Sequence, residues 1–408
     1  MSEVTAVDVK HLNELKVYRG DTLAGVLKRT DQGCELHFDQ KFVANKKYEA
    51  LTYCIPKQSE PLIHRGMNLP PFFAGLLPEG LRFKALAQQL KTSEDDLFSL
   101  LAASGERTVG DVYTLAEGLH RPELEIPEVG KIDFYQFFSS NIQSGLVAKS
   151  DESLAGVQEK ISASMISFPV HTAKKNKSYI LKLNPKDKPN LTQNEMQCLL
   201  LAKKCGLEAN GAKLVYDKNK NPGILVERFD RVEVEGKLVM VHQEDACQFL
   251  NRYPADKYRL SFAEICEGIQ GLATAPLIET LKVIQLYVFS YLIGNGDLHA
   301  KNISLQTAPQ SGRVQLTPAY DLICTYLYKD HSMALKLDGR DKNFKRQYIL
   351  DFGQRFGLQK KAIQQMLNKL LQKLQKNKKL LLEIPGLSNK EQSQLHAMLN
   401  TRISELSK

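Results

Sequence analysis

The sequence predicts an α+β protein of two lobes, sheet-rich in its first part and mostly helical in its C-terminal lobe. Three observations predict this. Short runs of alternating apolar and polar residues, bounded by turn residues, recur as far as Phe229. From about Asp245 onward the apolar residues take helical spacing. That helical part is interrupted once, by a loop-rich stretch over 294–322. At 408 residues the chain exceeds the ~100–150 of a common domain, so roughly two or three folded units are expected.

The first strands are expected over 15–18, 23–27 and 34–38, with Gly20 and Asp21 turning the chain. Residues 70–104 read as helical, with Leu77, Leu81, Leu86 and Leu90 among the apolar positions. Thr92, Ser93, Glu94 and Asp95 cap the run 97–101. Further strands are expected at 111–115, 161–168 and 179–183, the last two separated by a Lys-rich turn region over 171–177. An amphipathic helix over 194–204 stops at Gly206. Two more strands, 212–216 and 223–229, flank a turn at 217–222. The apolar run 283–293 contains Gln285 and Ser290 and reads as a buried helix, being shorter than the ~18–20 residues of a membrane span. Ile303-Ser304-Leu305 and Val314-Gln315-Leu316 are two short strands inside the interrupting loop. Over 355–379, Ile363, Met366, Leu367, Leu370, Leu371 and Leu374 form a helical stripe. Lys360, Lys361, Lys369, Lys373 and Lys376 charge that helix, with no acidic residue between Asp351 and Glu383. A solvated face and a phosphate-contacting surface both fit this pattern.

A hydrophobic fraction of 43% and a charged fraction of 25% are ordinary globular values. No apolar run with a small-residue cleavage site appears over 1–20, so no secretory signal is expected. The seven cysteines are scattered without a CxxC pair, which argues against a disulfide framework or zinc site and for a reducing cytosol. A net charge of +9 permits an anionic partner without requiring one.

The strongest chemical signal is Gly294-Asn295-Gly296-Asp297-Leu298-His299-Ala300-Lys301-Asn302, directly after the apolar helix. Asp297 and Asn302 share one loop, and Tyr320-Asp321 follows beyond the two short strands. Phosphoryl transfer needs one carboxylate to orient or deprotonate the attacking hydroxyl, and a second carboxylate with an amide oxygen to hold magnesium. Asp297 as a turn cap and Asp321 as a strand end are the plainer readings of each residue taken singly. Ser153-Leu154-Ala155-Gly156-Val157-Gln158-Glu159-Lys160 is a turn whose amides can cradle phosphate, or an ordinary turn. Lys182, inside the run 179–183, faces either solvent or a buried counter-charge. Glu227-Arg228-Phe229 ends a strand and can present backbone groups to an adenine. His299 lacks a second histidine nearby and any serine nucleophile motif, so it does not read as a catalytic base.

Together these blocks resemble the HipA family of serine/threonine kinases over nearly the whole chain. The resemblance includes residues 69–80 (LPPFFAGLLPEG), 153–160, 226–231, His242-Gln243-Glu244-Asp245, 295–302 and Tyr320-Asp321. It implies a two-lobed protein-kinase-like fold with an additional N-terminal subdomain over 1–110. An N-lobe with phosphate loop and hinge would span 111–232, and a helical C-lobe 233–408. It implies ATP and Mg2+ as cofactors, with Asp297 as catalytic base and Asn302 and Asp321 on the metal. Ala155, Gly156, Val157, Gln158, Glu159 and Lys160 would form the phosphate loop, and Lys182 would meet the phosphates. Glu227, Arg228 and Phe229 would lie at the adenine, with His299, Ala300, Lys301, Asn302 and Tyr320 lining the nucleotide site. Ser153 matches the family's autophosphorylated serine, with Ser150 nearby. The implied partners are a HipB-like helix-turn-helix antitoxin, operator DNA through that complex, and an aminoacyl-tRNA synthetase as substrate. No membrane is implied, and the N-terminal block sets the chain apart from shorter variants lacking it. A small-molecule kinase of the aminoglycoside or choline type shares the 296–302 pattern, and a non-catalytic co-repressor with a kinase fold is a third reading.

Overall fold

The computed structural model describes residues 9–105, 108–117, 128–137, 166–172, 177–185 and 188–408. The N-terminal strands β1 (Glu14–Arg19), β2 (Thr22–Thr30), β3 (Gly33–Phe38) and β4 (Leu62–Arg65) form an antiparallel meander. Alternation sends Leu15, Val17, Leu27 and Leu36 into one core, closed by Phe42 of α1 (Gln40–Ala44). The segment expected to be helical over 70–104 is three helices: α2 (Pro71–Gly75), α3 (Leu81–Gln89) and α4 (Leu97–Ser104). The cap of α4 is Asp96, whose carboxylate accepts from the Ser99 amide; Thr92 in turn donates to Asp96.

β5 (Val112–Leu115) pairs with β1, giving the sheet order β4-β3-β2-β1-β5. The N-terminal unit therefore extends through Leu115, beyond the boundary expected at 110. Strand pairing over this sequence distance leaves no local mark in the sequence.

The second sheet is fully antiparallel, in the order β6-β7-β9-β8: β6 (Ile166–Thr172), β7 (Lys177–Leu183), β8 (Ala212–Tyr216) and β9 (Pro222–Glu227). α5 (Leu191–Cys205) ends at Gly206, whose φ of +89° suits the left-handed cap. α5 packs on this sheet and also against α10 (Lys360–Asn377), joining the lobes. A hairpin not anticipated from the sequence, β10 (Arg231–Val234) with β11 (Lys237–Met240), turns at Glu235 and Gly236, both at positive φ. Alternation around a Glu-Gly pair is the signal that marks it.

The helical lobe contains α6 (Ala246–Phe249), α7 (Phe262–Leu272), α8 (Pro276–Ile293), α9 (Arg346–Arg355), α10, α11 (Lys379–Leu382) and α12 (Asn389–Ser407). α8 is long and apolar enough to cross a membrane, but most of it is buried inside the protein, as expected for 283–293. On α10 the expected stripe of Ile363, Met366, Leu367, Leu370, Leu371 and Leu374 is the buried face. β13 (Ser304–Thr307) and β14 (Val314–Leu316) match the two short strands, and β12 (Gln243–Asp245) adds beside β13.

One buried cluster fastens the N-terminal unit to the helical lobe. His242 Nδ1 lies 2.6 Å from Asp111 Oδ1, and its Nε2 lies 2.8 Å from Glu244 Oε1. Two carboxylates as acceptors require both ring nitrogens to carry hydrogen, so the imidazole is a cation. Burial opposes that charge, yet Asp111 and Glu244 hold the His242 pKa above its ordinary value, with Arg19 acting against them. The Tyr53 amide also donates to Glu244 (2.6 Å), and the Tyr53 ring meets the imidazole edge-on. The folded state thus keeps a proton that the unfolded chain releases near pH ~6.5. The resulting stabilisation is complete below that pH and is lost as the pH rises through the raised folded value. His242→Gln should lower the thermal midpoint more at about pH 6 than at about pH 9; equal losses at both would remove the imidazolium from this joint.

Candidate active site

The site is built on the end of α8. Its apolar surface carries it through the core, and Gly294, at φ +76°, closes it with bonds to the Ser290 and Tyr291 carbonyls. The loop that follows is fixed by its own groups. The Gly296 amide donates to Thr325 Oγ1 (2.7 Å), and a Cβ at Gly296 would lie 2.5 Å from the Ser332 carbonyl oxygen. Asn295 Oδ1 accepts from the Asp297 amide, and Asn302 Nδ2 donates to the Asp297 carbonyl at 3.2 Å, tying both ends of the loop together.

Asp321 arrives after β14 at φ +55°, a left-handed conformation unusual for a non-glycine residue. Its Oδ2 lies 3.4 Å from Asn302 Nδ2, and its Oδ1 accepts from Lys182 Nζ at 2.7 Å. Lys182 leaves β7 toward the interior, at 8% exposure, and also donates to Glu195 Oε1 of α5 at 2.7 Å. Of the two orientations open to Lys182, the chain adopts the buried, paired one. Burial alone would raise the Asp321 pKa, but Lys182 outweighs it and holds the carboxyl below its usual range. Burial pushes Glu195 up to about 7, because Lys182 is shared with Asp321 and only partly offsets it. Glu195 Oε2 has no hydrogen-bond partner among the described residues.

These groups open on a cleft of about 420 Å³ between the sheet and the helical lobe, lined by Ile180, Arg228, His299, Lys301, Asn302, Tyr320 and Asp321. The N-terminal unit supplies one wall, from Gly75 to Glu79. Glu79 bridges Lys257 (2.7 Å) and Lys301 (3.4 Å), and Lys301 also pairs with Asp245. Tyr320 donates to the Lys301 carbonyl and meets Ser304 Oγ, each at 2.6 Å, while its ring lies near Phe229. His299 is buried; desolvation lowers its pKa, and its Nδ1 has no partner among the described residues. Asp297 is pushed above the ordinary carboxylate value, first by burial, with His299 and the Tyr258 hydroxyl acting against it.

The chain thus brings His299, Lys301, Asn302, Tyr320 and Asp321 to one cleft, with Lys182 paired to Asp321 and the Asp297 carbonyl held by Asn302. The 227–229 segment reaches it less directly. The Glu227 amide donates to the Gly211 carbonyl, its carbonyl accepts from Asn210 Nδ2, and its carboxylate pairs with Lys177. The Arg228 guanidinium is buried on Asp230 and the Thr108 carbonyl. Ala155 to Lys160, Ser153 and Ser150 lie outside the described residues. Sequence reading assigned no role to Glu195, Tyr258, Glu79 or Asp245. Glu195 had a usable signal: an acid early in the helix that follows the apolar run 179–183, whose one charge is Lys182.

Two family signatures cover most of the chain: the HipA N-terminal domain over 15–115 and the HipA-like C-terminal domain over 152–378. The Sinorhizobium fredii protein Y4mE is 29% identical over 308 residues, spanning 71% of this chain and 72% of the relative. The serine/threonine-protein kinase toxin HipA of Shewanella oneidensis is 27% identical over 290 residues, 65% of each chain. Among solved structures, Shewanella oneidensis HipA, determined with HipB and operator DNA, superposes with a TM-score of 0.72. That match has 20% identity and covers 96% of both chains. The likeness establishes the two-lobed α+β fold.

Lys182→Met should lower stability by roughly 3–5 kcal/mol in denaturant titration, because it strands a buried carboxylate. Adding Glu195→Leu should recover part of the loss, since Asp321 is part-exposed and can reach solvent. A double variant no more stable than the single one would refute the pairing argument.

Proposed function

Because this chain belongs to the HipA family, we propose that it is an ATP- and magnesium-dependent serine/threonine protein kinase. The observation that carries this reading is the chain of contacts from Lys182 of β7 to Asp321, from Asp321 to Asn302, and from Asn302 to the Asp297 carbonyl, with Asp321 and Asn302 lining one cleft. A polar ligand suits that cleft: His299 Nδ1 and Gln243 Oε1 are buried without partners among the described residues, and both residues line it. Asp321 Oδ2 and the Asn302 side chain lie together, and hard oxygen donors of this kind suit Mg2+. Asn302 would present its amide oxygen and Asp321 its carboxylate to the metal, which when bound neutralises phosphate charge.

In the reaction, the acceptor hydroxyl oxygen bonds to the γ-phosphorus as the bond to the β–γ bridging oxygen breaks. The electron pair of that bond leaves with ADP, and the hydroxyl proton passes to Asp297. Lys182, whose charge is divided between Glu195 and Asp321 here, would turn part of it to the phosphates of a bound nucleotide. Residues 155–160 would cradle those phosphates. Ser153 or Ser150 would be the autophosphorylation site, and modification there would oppose ATP binding by adding negative charge beside the loop.

The wider setting follows from what the relatives are. We infer a cytoplasmic toxin restrained by a HipB-like antitoxin, acting on a translation component such as an aminoacyl-tRNA synthetase. The exposed lysines of α10, among them Lys361, Lys369 and Lys376, support contact with operator phosphates within that complex.

Intact-mass measurement after incubation with MgATP tests the activity directly. Wild type should gain phosphate, or transfer it to a protein acceptor. Asp297→Gln should lose ~10²–10⁴-fold in rate while keeping its fold. Near-normal transfer by that variant would remove Asp297 from the base role.

A further inference from the structure

Residues 251–260, between α6 and α7, were given no role in the proposed reaction, yet they grip the loop over 294–302 at two points. The Lys257 carbonyl accepts from the Ala300 amide at 3.1 Å. The Tyr258 hydroxyl donates to Asp297 Oδ1 at 2.9 Å, across thirty-nine positions of sequence. The Tyr258 ring stands edge-on to His299, at 5.1 Å between centroids and 84° between planes. Lys257 Nζ meanwhile holds Glu79 of the N-terminal wall at 2.7 Å. Tyr258 is nevertheless 54% exposed, so ring burial does not account for its placement. Asp297 Oδ1 is occupied by this hydroxyl, whereas its Oδ2 has no hydrogen bond among the described residues.

We propose that Tyr258 is a positioning residue for phosphoryl transfer, pinning Asp297 Oδ1 so that Oδ2 faces the acceptor hydroxyl. The exposed ring then forms one side of the entrance through which a serine- or threonine-bearing polypeptide segment reaches Asp297. A carboxylate free to rotate about its side-chain torsions presents the correct oxygen only part of the time, and a fixed hydrogen bond removes that loss. The inference rests on the kinase reading of the same cleft.

The test uses the full chain, MgATP, and an Asp297→Gln copy of the chain as acceptor, with ATP hydrolysis followed in parallel. Tyr258→Phe keeps the ring against His299 and removes only the hydroxyl. Its kcat should fall about ten-fold, with KM for ATP, calorimetric MgADP affinity and thermal midpoint all unchanged. Tyr258→Ala should show the same kinetic loss together with a lower midpoint. A Tyr258→Phe variant that keeps wild-type kcat overturns the proposal, as does one whose rate falls only in step with nucleotide affinity. Wild type that neither transfers phosphate nor hydrolyses ATP overturns the kinase reading and this inference with it.

Discussion

The structure turns on one buried cation. Lys182 sits at the meeting of β7, α5 and the loop carrying Asp321, and its ammonium cannot lie there without counter-charge. Two carboxylates answer it, one from each lobe's side of the cleft. Glu195 lies on a helix that packs on the sheet and also against α10, so satisfying Lys182 fixes how far apart the lobes stand. The same bond holds Asp321 in a left-handed conformation that costs ~1–3 kcal/mol, a strain that persists where surrounding contacts over-determine it. Replacing such a network with apolar groups is often neutral or stabilising. Its presence is therefore better explained by the chemistry of the cleft than by the needs of folding.

The same logic recurs at the joint with the N-terminal unit. Asp111 from that unit, itself paired with Arg19, meets His242, which also holds Glu244, and Glu79 meets Lys257 and Lys301. A joint held by buried or half-buried charges has a defined geometry, because each ion must reach its partner or pay the desolvation cost. An apolar interface of similar size would tolerate sliding. The wall from Gly75 to Glu79 is thereby held in register with the loop over 294–302, and the cleft is a product of three parts of the chain rather than two.

What could be read from the sequence was what short spacing encodes. The α10 stripe, the α5 stop at Gly206, the loop after α8 and the two strands following it all lie within a few turns of their own signals. What escaped was pairing at a distance. β5 looks like any short strand, and nothing near it says that its partner is β1. Lys182 could be seen as a charge in an apolar strand, but whether it faced inward depended on Glu195 and Asp321, 13 and 139 positions away. Tyr258 lies in a polar segment without periodicity, and its value comes entirely from the hydroxyl that meets Asp297. The hairpin of β10 and β11 does carry a local signal, its Glu235-Gly236 turn.

The surroundings of Asp297 bring these strands of argument together. A general base works best when its pKa approaches the working pH, and an ordinary aspartate lies well below it. Burial raises Asp297, while His299 and Tyr258 restrain the rise. His299 is itself kept toward the neutral form by burial, so it does not cancel the effect of burial on its neighbour. The N-terminal unit meets the surroundings of this carboxylate through Glu79, which pairs with Lys257 and Lys301.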